Sequence, residues 1–157
     1  MHHHHIQSLT TMKTIFQLGT RGYHATASEF DGQIKVHIRK YDEELGRKFP
    51  TKDGIALSLE EWTQLKDIMP KLVQDIKTPT NTSLFSLGPR GYHATVRLYR
   101  DEILIHIRKF FDGTHEKYLG MKLATKDGLA LTVQEFSNLE NVVNKVDGLI
   151  DARQNLL

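Results

Sequence analysis

The stretch GTRGYHAT at residues 19–26 is repeated almost unchanged as GPRGYHAT at residues 88–95, and this internal repeat determines how the chain is organised. Two further pairs follow in the same order: VHIRK at 36–40 with IHIRK at 105–109, and TKDGIAL at 51–57 with TKDGLAL at 125–131. The second copy carries five more residues than the first between the second and third matches. Such internal repetition predicts two related structural units in series.

Composition limits what these units can be. With 157 residues, the chain has room for one or two small domains. A single unit of about 65 residues would bury too little surface to be very stable alone, and pairing two units removes that weakness. The absence of cysteine excludes disulfides and thiolate metal sites. No apolar run reaches the roughly 20 residues that span a bilayer. The formal net charge of +2 permits an acidic partner without requiring one.

The repeat also gives the expected domain boundaries. Residues 1–5, MHHHH, read as a purification tag, so a tag and a disordered N-terminus are expected over residues 1–12. The first repeat is expected over residues 13–77 and the second over residues 84–157. Between them, residues 78–83 form a polar, proline-marked linker.

Asp31-Gly32 predicts a β-hairpin in the first repeat, because this dipeptide suits the two-residue turn between antiparallel strands. The strand that follows, residues 33–41, alternates strictly between aliphatic and polar side chains. A two-residue turn fixes the register, so the polar residues of both strands share one face and the aliphatic row joins the core. The predicted pairs are Phe30 with Gln33, Ser28 with Lys35, Thr26 with His37, and His24 with Arg39.

The second repeat predicts the same two-faced hairpin. Its outward face is expected to carry His93, Thr95, Arg97, Tyr99, Leu104, His106, Arg108 and Phe110. On both faces cations lie beside aromatic rings, and proteins bind unpaired nucleic-acid strands in this way, holding phosphates by charge and bases by stacking. The charges come from Lys35, Arg39, Arg97 and Arg108, and the rings from Phe30, Tyr41, Tyr99 and Phe110. The alternative is a solvated sheet face with incidental aromatic residues.

A helix is predicted to close each repeat. A polar loop over residues 42–52 leads to a short last strand over residues 55–57. Capping-box spacing then occurs twice, at Ser58 with Glu61 and at Thr132 with Glu135. Apolar residues follow at three- and four-residue steps, with Trp62 and Phe136 as expected core residues. Pro70 is expected to kink or shorten the first helix.

Each repeat is therefore predicted as β-β-β-β-α, an α+β arrangement with a curved antiparallel sheet and a C-terminal helix. One helix can cover only part of one sheet face. The simplest solution is that the two helices pack together between the two sheets as an intramolecular pseudo-dimer. The polar sheet faces would then point outward.

Other candidate sites are weaker. His24, His37, His93 and His106 are expected on the polar faces as hydrogen-bond donors to phosphate or base. The alternative of a metal site at His24 and His37 lacks a carboxylate as third ligand. Arg21 and Arg90 lie in glycine turns, from which they would reach a phosphate. The turns match no nucleotide-binding fingerprint, and no set of nucleophile, base and orienting residue is visible, so neither a cofactor nor an enzyme is expected.

Segments of both copies, by their order and spacing, resemble the single-stranded-DNA-binding domain of the transcriptional coactivator positive cofactor four and its bacterial and viral relatives. The likeness covers residues 16–19, 28–32, 34–41 and 52–62, and in the second copy residues 85–88, 103–111 and 126–136. The family's domain is a homodimer whose helices meet at the interface and whose curved sheets bind unpaired strands. The resemblance therefore implies that one chain here replaces the dimer.

The resemblance also implies roles for individual residues. Phe30 and Tyr99 match a stacking aromatic, Arg39 and Arg108 match a strand arginine that contacts the nucleic-acid backbone, and Lys52 and Lys126 match a basic position before the last strand. Phe111 matches a second aromatic, but the first copy has Asp42 there. Asp53 and Asp127 stand where the family usually has another cation. These departures imply that the two halves are not equivalent.

The expected function is binding of single-stranded DNA with little sequence preference, in transcription, replication or repair. RNA binding, a Pur-alpha or Whirly-type nucleic-acid protein, and a protein–protein interaction module remain alternatives. The expected partners are single-stranded DNA or RNA and proteins of transcription or replication, with no membrane. The expected state is a monomeric pseudo-dimer, with further oligomerisation left open, and the expected location is intracellular, in a nucleus or nucleoid.

Overall fold

The computed structural model describes residues 14–156. The predicted tag and N-terminal segment over residues 1–12 lie outside the described residues, as do Lys13 and Leu157. None of the helices described within residues 14–156 combines the length and the apolar character needed to cross a membrane.

Each repeat forms a four-stranded antiparallel sheet followed by one helix, which confirms the α+β prediction. The first repeat contains β1 (Phe16–Gln17), β2 (Tyr23–Phe30), β3 (Gln33–Glu44), β4 (Arg47–Leu57) and α1 (Leu59–Lys77). The second contains β5 (Leu84–Ser86), β6 (Tyr92–Tyr99), β7 (Glu102–Asp112), β8 (Lys122–Thr132) and α2 (Val133–Gln154). Within each sheet the strands follow one another in chain order.

The β2–β3 hairpin has the predicted register, with all four predicted pairs in place. Asp31 and Gly32 both adopt positive φ angles, 53° and 76°, as a two-residue turn of this kind requires. The β6–β7 hairpin pairs in the same way, but its turn is Arg100-Asp101, with φ angles of 50° and 66°. The second turn therefore holds two residues with a Cβ in a region that favours glycine.

The loop predicted over residues 42–52 is wrong. Strand β3 continues to Glu44, a turn at Leu45-Gly46 reverses the chain, and β4 begins at Arg47. Polar composition suggests a loop, but residues 42–50, which we call the arm of the first repeat, form an exposed β-ribbon held by backbone pairing instead of burial. The second repeat has the same arm over residues 111–123, and its extra residues form a connection with one 3₁₀ turn at Glu116–Tyr118.

A break in the ladder separates this arm from the body of each sheet. The pairing of β3 with β4 shifts between Arg39 and Tyr41, and that of β7 with β8 shifts between Arg108 and Phe110. Such irregularities bend a strand and increase its local twist. Gly54 lies directly opposite Arg39, where an added Cβ would stand 2.5 Å from the Ile38 carbonyl oxygen. Glycine is therefore required for the close approach of the two strands at the bend.

Both helices begin at the predicted capping boxes. The Ser58 hydroxyl accepts from the Glu61 backbone N–H, while the Glu61 carboxylate accepts from the Ser58 N–H, and Thr132 with Glu135 repeats this exchange. Helix α1 continues through Pro70 to Lys77, so the expectation that this proline shortens the helix is wrong. Trp62 and Phe136 are fully buried, as predicted.

The two repeats share one hydrophobic core. The helices meet where the Trp62 indole Nε1 donates to Asp147 at 2.8 Å and the Lys66 ammonium pairs with the same carboxylate at 3.0 Å. The prediction of helix-to-helix packing needs one addition, because each helix also contacts the sheet of the other repeat: α1 contacts β6, and α2 contacts β2 and β3. Buried residues of both sheets and both helices consequently form a single cluster.

Two reciprocal ion pairs join the repeats. The Arg21 guanidinium donates to both carboxylate oxygens of Glu135, at 2.8 and 2.6 Å. Arg90 donates to both oxygens of Glu61, at 2.8 Å each. Each glutamate thus caps its own helix and binds the arginine of the other repeat. The pairs are related by the pseudo-symmetry of the chain, as expected for a fused two-fold interface.

Candidate nucleic-acid interface

We use "polar face" for the outward-facing side of the β2–β3 and β6–β7 hairpins. In the first repeat it contains Ser28, Lys35, His37 and Arg39, and in the second Arg97, Leu104, His106 and Arg108. Strand alternation places these side chains opposite the aliphatic rows that enter the core. The polar faces are therefore on the solvent side of the two sheets.

A shallow groove runs along the polar face of the first repeat. It consists of two neighbouring depressions of about 420 Å³ each, which share His37. One is lined by Ser28, Glu29, Phe30, Gln33, Lys35, His37 and Ala56, and the other by His37, Arg39, Tyr41, Pro50, Thr51 and Lys52. The groove thus connects an aromatic residue at the hairpin end to a lysine on the neighbouring strand.

The strand arginines are held in fixed positions. Arg39 Nη1 donates to the Thr51 carbonyl at 2.9 Å, and Arg108 Nη1 donates to the Thr125 carbonyl at 3.0 Å. Both side chains are half-buried, and each uses one hydrogen bond to orient a guanidinium that has five donors. Lys52 and Lys126, which follow these carbonyls in the chain, are exposed.

One cross-strand pair shows how the repeats keep a charge while changing residues. Ser28 pairs with Lys35 in the first repeat, whereas Arg97 pairs with Leu104 in the second. Directly opposed residues lie on the same face, so each pair presents one cation at the same level of the hairpin. The Arg97 guanidinium also lies 5.9 Å from the centre of the Phe110 ring.

The aromatic residues at the hairpin ends are open to solvent. Phe30 is 78% exposed and Tyr99 is 55% exposed. The guanidinium of Arg100, in the turn, lies 5.2 Å from the centre of the Tyr99 ring. Sequence reasoning missed Arg100, although its position beside Tyr99 in the turn was a usable signal. The first repeat has Asp31 at that place, so the two hairpin ends differ in charge.

Tyr41 and Phe110 are not exposed stacking residues, which corrects the prediction. They are only 8% and 4% exposed, although neither belongs to the shared core between the sheets. Each packs edge-on against a histidine of its own repeat, with ring centres 5.1 Å apart for His24–Tyr41 and 5.5 Å for His93–Phe110. The bend after Arg39 and Arg108 brings these rings against the sheet, which alternation alone did not reveal.

His24 and His93 also need correction, because both are buried. Each donates from Nδ1 to a turn carbonyl, Gly22 at 2.8 Å and Gly91 at 2.9 Å. The Lys48 ammonium contacts His24 Nε2 at 3.0 Å, and since an ammonium has only donors, Nε2 must accept. Burial, with the Lys48 charge adding to it, lowers the pKa of His24 below its ordinary value. Both histidine rings are therefore held by hydrogen bonds within their own repeat.

His37 and His106 remain on the polar faces, half-buried. Burial, followed by the charges of Arg108 and Arg97, lowers the pKa of His106 to about 4, so it is neutral near pH 7. Within residues 14–156 no group of three or more potential metal ligands comes together.

Arg21 and Arg90, predicted to reach a phosphate, have partners within the protein. Their guanidinium groups pair with Glu135 and Glu61 across the repeat interface. The carboxylate partner raises the pKa of Arg21 and of Arg90 above the ordinary value. These two arginines hold the repeats together.

The two long arms carry further exposed residues. Phe111, a predicted site residue, is 51% exposed on β7. The sequence does not single out Lys48 and Phe49 on β4, because its polar composition predicts a loop over residues 42–52. Lys48 pairs across the arm with Glu43, and Phe49 pairs with Asp42.

Comparison with known proteins gives two kinds of similarity. Residues 18–68 match the family described as Transcriptional Coactivator p15 (PC4). A Caenorhabditis elegans protein described as a candidate RNA polymerase II transcriptional coactivator is 38% identical over 60 residues, 37% of this chain and 48% of that protein. RNA polymerase II transcriptional coactivator KELP of Arabidopsis thaliana is 38% identical over 52 residues, 33% of this chain and 32% of that protein. The chain therefore aligns with less than half the length of either relative.

Proposed function

The chain belongs, through its first repeat, to the Transcriptional Coactivator p15 (PC4) family, and from this premise we propose that it binds single-stranded nucleic acid, DNA in particular, with little sequence preference. The proposed ligand-binding surfaces are the two polar faces with their adjoining arms. Catalysis is not part of the proposal.

One observation carries this proposal: each polar face combines oriented cations with an exposed ring at the end of its hairpin. In the first repeat the groove links Phe30 to Lys35, Arg39 and Lys52. Cations along a groove attract successive phosphates, and an exposed ring adds about 1–3 kcal/mol for each base that stacks on it. Backbone contacts and stacking read no base edges, so weak sequence preference follows.

The proposed sites in the second repeat are Arg97, Tyr99, His106, Arg108, Phe111 and Lys126. Those in the first are Phe30, Lys35, His37, Arg39 and Lys52. Arg21, His24, Tyr41, Arg90, His93 and Phe110 are left out of the proposed contacts because their side chains are buried or paired within the protein.

The ligand is proposed to be unpaired because exposed rings can stack only on bases that are free of a duplex partner. In double-stranded DNA both faces of an internal base are already stacked. The polar faces also lack an element shaped to enter a groove: no helix within residues 14–156 lies on them, since both helices pack on the core side.

The names of the two relatives suggest the setting. Both are described as RNA polymerase II transcriptional coactivators, so we propose a role in transcription, with the transcription machinery as a protein partner and the nucleus as the location. Roles in replication or repair would use the same nucleic-acid contacts.

Fluorescence anisotropy with labelled single-stranded DNA, RNA and duplex DNA, each at two salt concentrations, tests the proposal. Single-stranded DNA should bind more tightly than duplex, and its affinity should fall steeply with salt because binding releases counterions from phosphates. A module that binds only proteins would bind none of the three nucleic-acid probes. That result would overturn the proposal.

Three variants test the proposed residues. Phe30→Ala and Tyr99→Ala should each weaken binding of oligo-dT by about 1–3 kcal/mol. Arg108→Ala should reduce the salt slope by about one. Lys145→Ala is the matched control, because it removes an exposed cation from α2, away from the polar faces. Unchanged affinity in all three test variants would exclude these faces.

A further inference from the structure

The arms of the two repeats each carry one exposed phenylalanine, but on opposite strands. In the second repeat Phe111 of β7 pairs with Leu123 of β8. In the first repeat the same ladder position joins Asp42 of β3 to Phe49 of β4. The pairs one step closer to the bend also correspond, Tyr41 with Pro50 and Phe110 with Ala124. The two ladders are therefore in the same register, and the phenylalanine lies on β4 in the first repeat but on β7 in the second.

Directly opposed residues of an antiparallel pair lie on the same face, with Cβ atoms about 4.5–5.5 Å apart. A ring at Phe49 therefore lies on the same face of the arm as a ring at position 42 would, one strand away. Phe49 is 46% exposed and Phe111 is 51% exposed. Within residues 14–156 neither ring stacks on another ring or on a cation, so both keep a free aromatic surface.

A single exposed phenylalanine is common on protein surfaces and would mean little. Here the two repeats each have one such ring at one ladder position and a non-aromatic residue opposite it. Arg47, two residues before Phe49 on β4, is exposed and lies on the same side of the strand, and the exposed Lys52 follows shortly after. This combination of a free ring with nearby cations suits a base and its phosphates.

We propose that Phe49 is a second nucleobase-stacking residue of the first repeat and takes the place that Phe111 has in the second. The inference rests on the proposed binding of single-stranded nucleic acid. It implies that Asp42 does not remove this subsite from the first repeat, because the ring is supplied from β4.

A ring-transfer experiment tests this. Phe49→Leu installs the residue found opposite Phe111 and should weaken oligo-dT binding at least about fivefold, the lower end expected for losing one stacked base. The double variant D42F/F49L copies the arrangement of the second repeat and should recover most of the lost affinity. D42N/F49L removes the same charge without adding a ring and should stay weak. Thermal melting of each variant checks that the fold is retained.

The outcomes separate this inference from the proposed function. If Phe49→Leu binds like the wild type while Phe30→Ala is weakened, the proposed function stands and Phe49 is not a stacking residue. If Phe49→Leu is weakened but D42F/F49L is no better than D42N/F49L, the equivalence with Phe111 is wrong. If neither Phe49→Leu nor Phe30→Ala changes binding, the proposed nucleic-acid surface itself fails.

Discussion

Replacing Arg90 with alanine should loosen the joint between the two repeats. The Arg90 guanidinium donates twice to Glu61 and once to the Ala56 carbonyl, at 3.0 Å. The Glu61 side chain is only 1% exposed, so its carboxylate cannot turn to water when the arginine is lost. In the variant, this carboxylate keeps only its capping contacts with Ser58, including the hydrogen bond from the Ser58 backbone N–H.

The size of the effect follows from this geometry. Removing one partner of a buried ion pair costs about 3–5 kcal/mol, whereas an exposed pair contributes at most about 1 kcal/mol. The Arg90 side chain is 43% exposed, so water can partly fill its place. We therefore expect Arg90→Ala to lower the free energy of unfolding by about 2–4 kcal/mol.

Urea unfolding, followed by circular dichroism, measures this loss. The control is Lys122→Ala, which removes an ion pair with the exposed Asp112 inside one repeat and should leave the midpoint almost unchanged. Arg21→Ala removes the symmetry-related pair and should behave like Arg90→Ala. A loss for Arg90→Ala no larger than that for Lys122→Ala would refute the idea that these pairs hold the repeats together.

The pH dependence adds a second check. Burial would raise the pKa of Glu61, but the hydrogen bonds from Arg90 and Ser58 hold it below its ordinary value of 4.5. At pH values above 4.5 this ion pair therefore stabilises the wild type. Its contribution to the free energy of unfolding is lost as the pH falls through the folded-state pKa of Glu61. Without Arg90, burial raises the pKa of Glu61, so the stability gap should be largest near pH 7 and shrink toward about pH 4.

Three further predictions concern other parts of the fold. Asp101→Gly should raise the free energy of unfolding by about 0.5–1 kcal/mol, measured in urea, because Asp101 has a positive φ where the first repeat has Gly32; an unchanged or lower midpoint would contradict this. Gly54→Ala should lower the melting temperature sharply, because its Cβ would stand 2.5 Å from the Ile38 carbonyl oxygen; a wild-type melt would exclude such a close approach. NMR titration should find a pKa of about 4 for His106. Because the unfolded chain binds this proton more readily, with an ordinary pKa of 6.5, the free energy of unfolding should fall as the pH is lowered from 6.5 to 4. Titration near 6.5 would contradict the burial of His106.

Much of the sheet could be predicted because local chemistry determines it. A two-residue turn at Asp31-Gly32 leaves one register for β2 and β3, and strict alternation then assigns every side chain to a face. The arms could not be predicted in this way. Residues 42–52 lack alternating apolar residues, because both sides of the ribbon meet water, so the pattern that identifies a half-buried strand is absent.

The candidate site was predicted only in part, for reasons of three-dimensional shape. Tyr41 and Phe110 lie where alternation suggested, but the bend beside Gly54 and Gly128 presses them onto His24 and His93. A bend of this kind depends on two strands at once and leaves little trace in either one.

The roles of Arg21 and Arg90 were hidden by distance, since the partner of Arg21 lies 114 residues away along the chain. A signal was nevertheless present. An arginine in the glycine turn and a glutamate in the capping box both recur in the two copies. In a pseudo-dimer with two-fold symmetry, opposite charges that recur in both halves indicate reciprocal ion pairs across the interface.

NMR chemical-shift mapping with unlabelled oligo-dT tests the central claim most directly, because it reports which part of the molecule meets the strand. The account predicts perturbed backbone signals on both polar faces, around Lys35, Arg39, Arg97 and Arg108, with the mid-helix signals of α1 and α2 little changed. Chemical-shift perturbations confined to the helices, or no perturbation of any signal at low salt, would contradict this account.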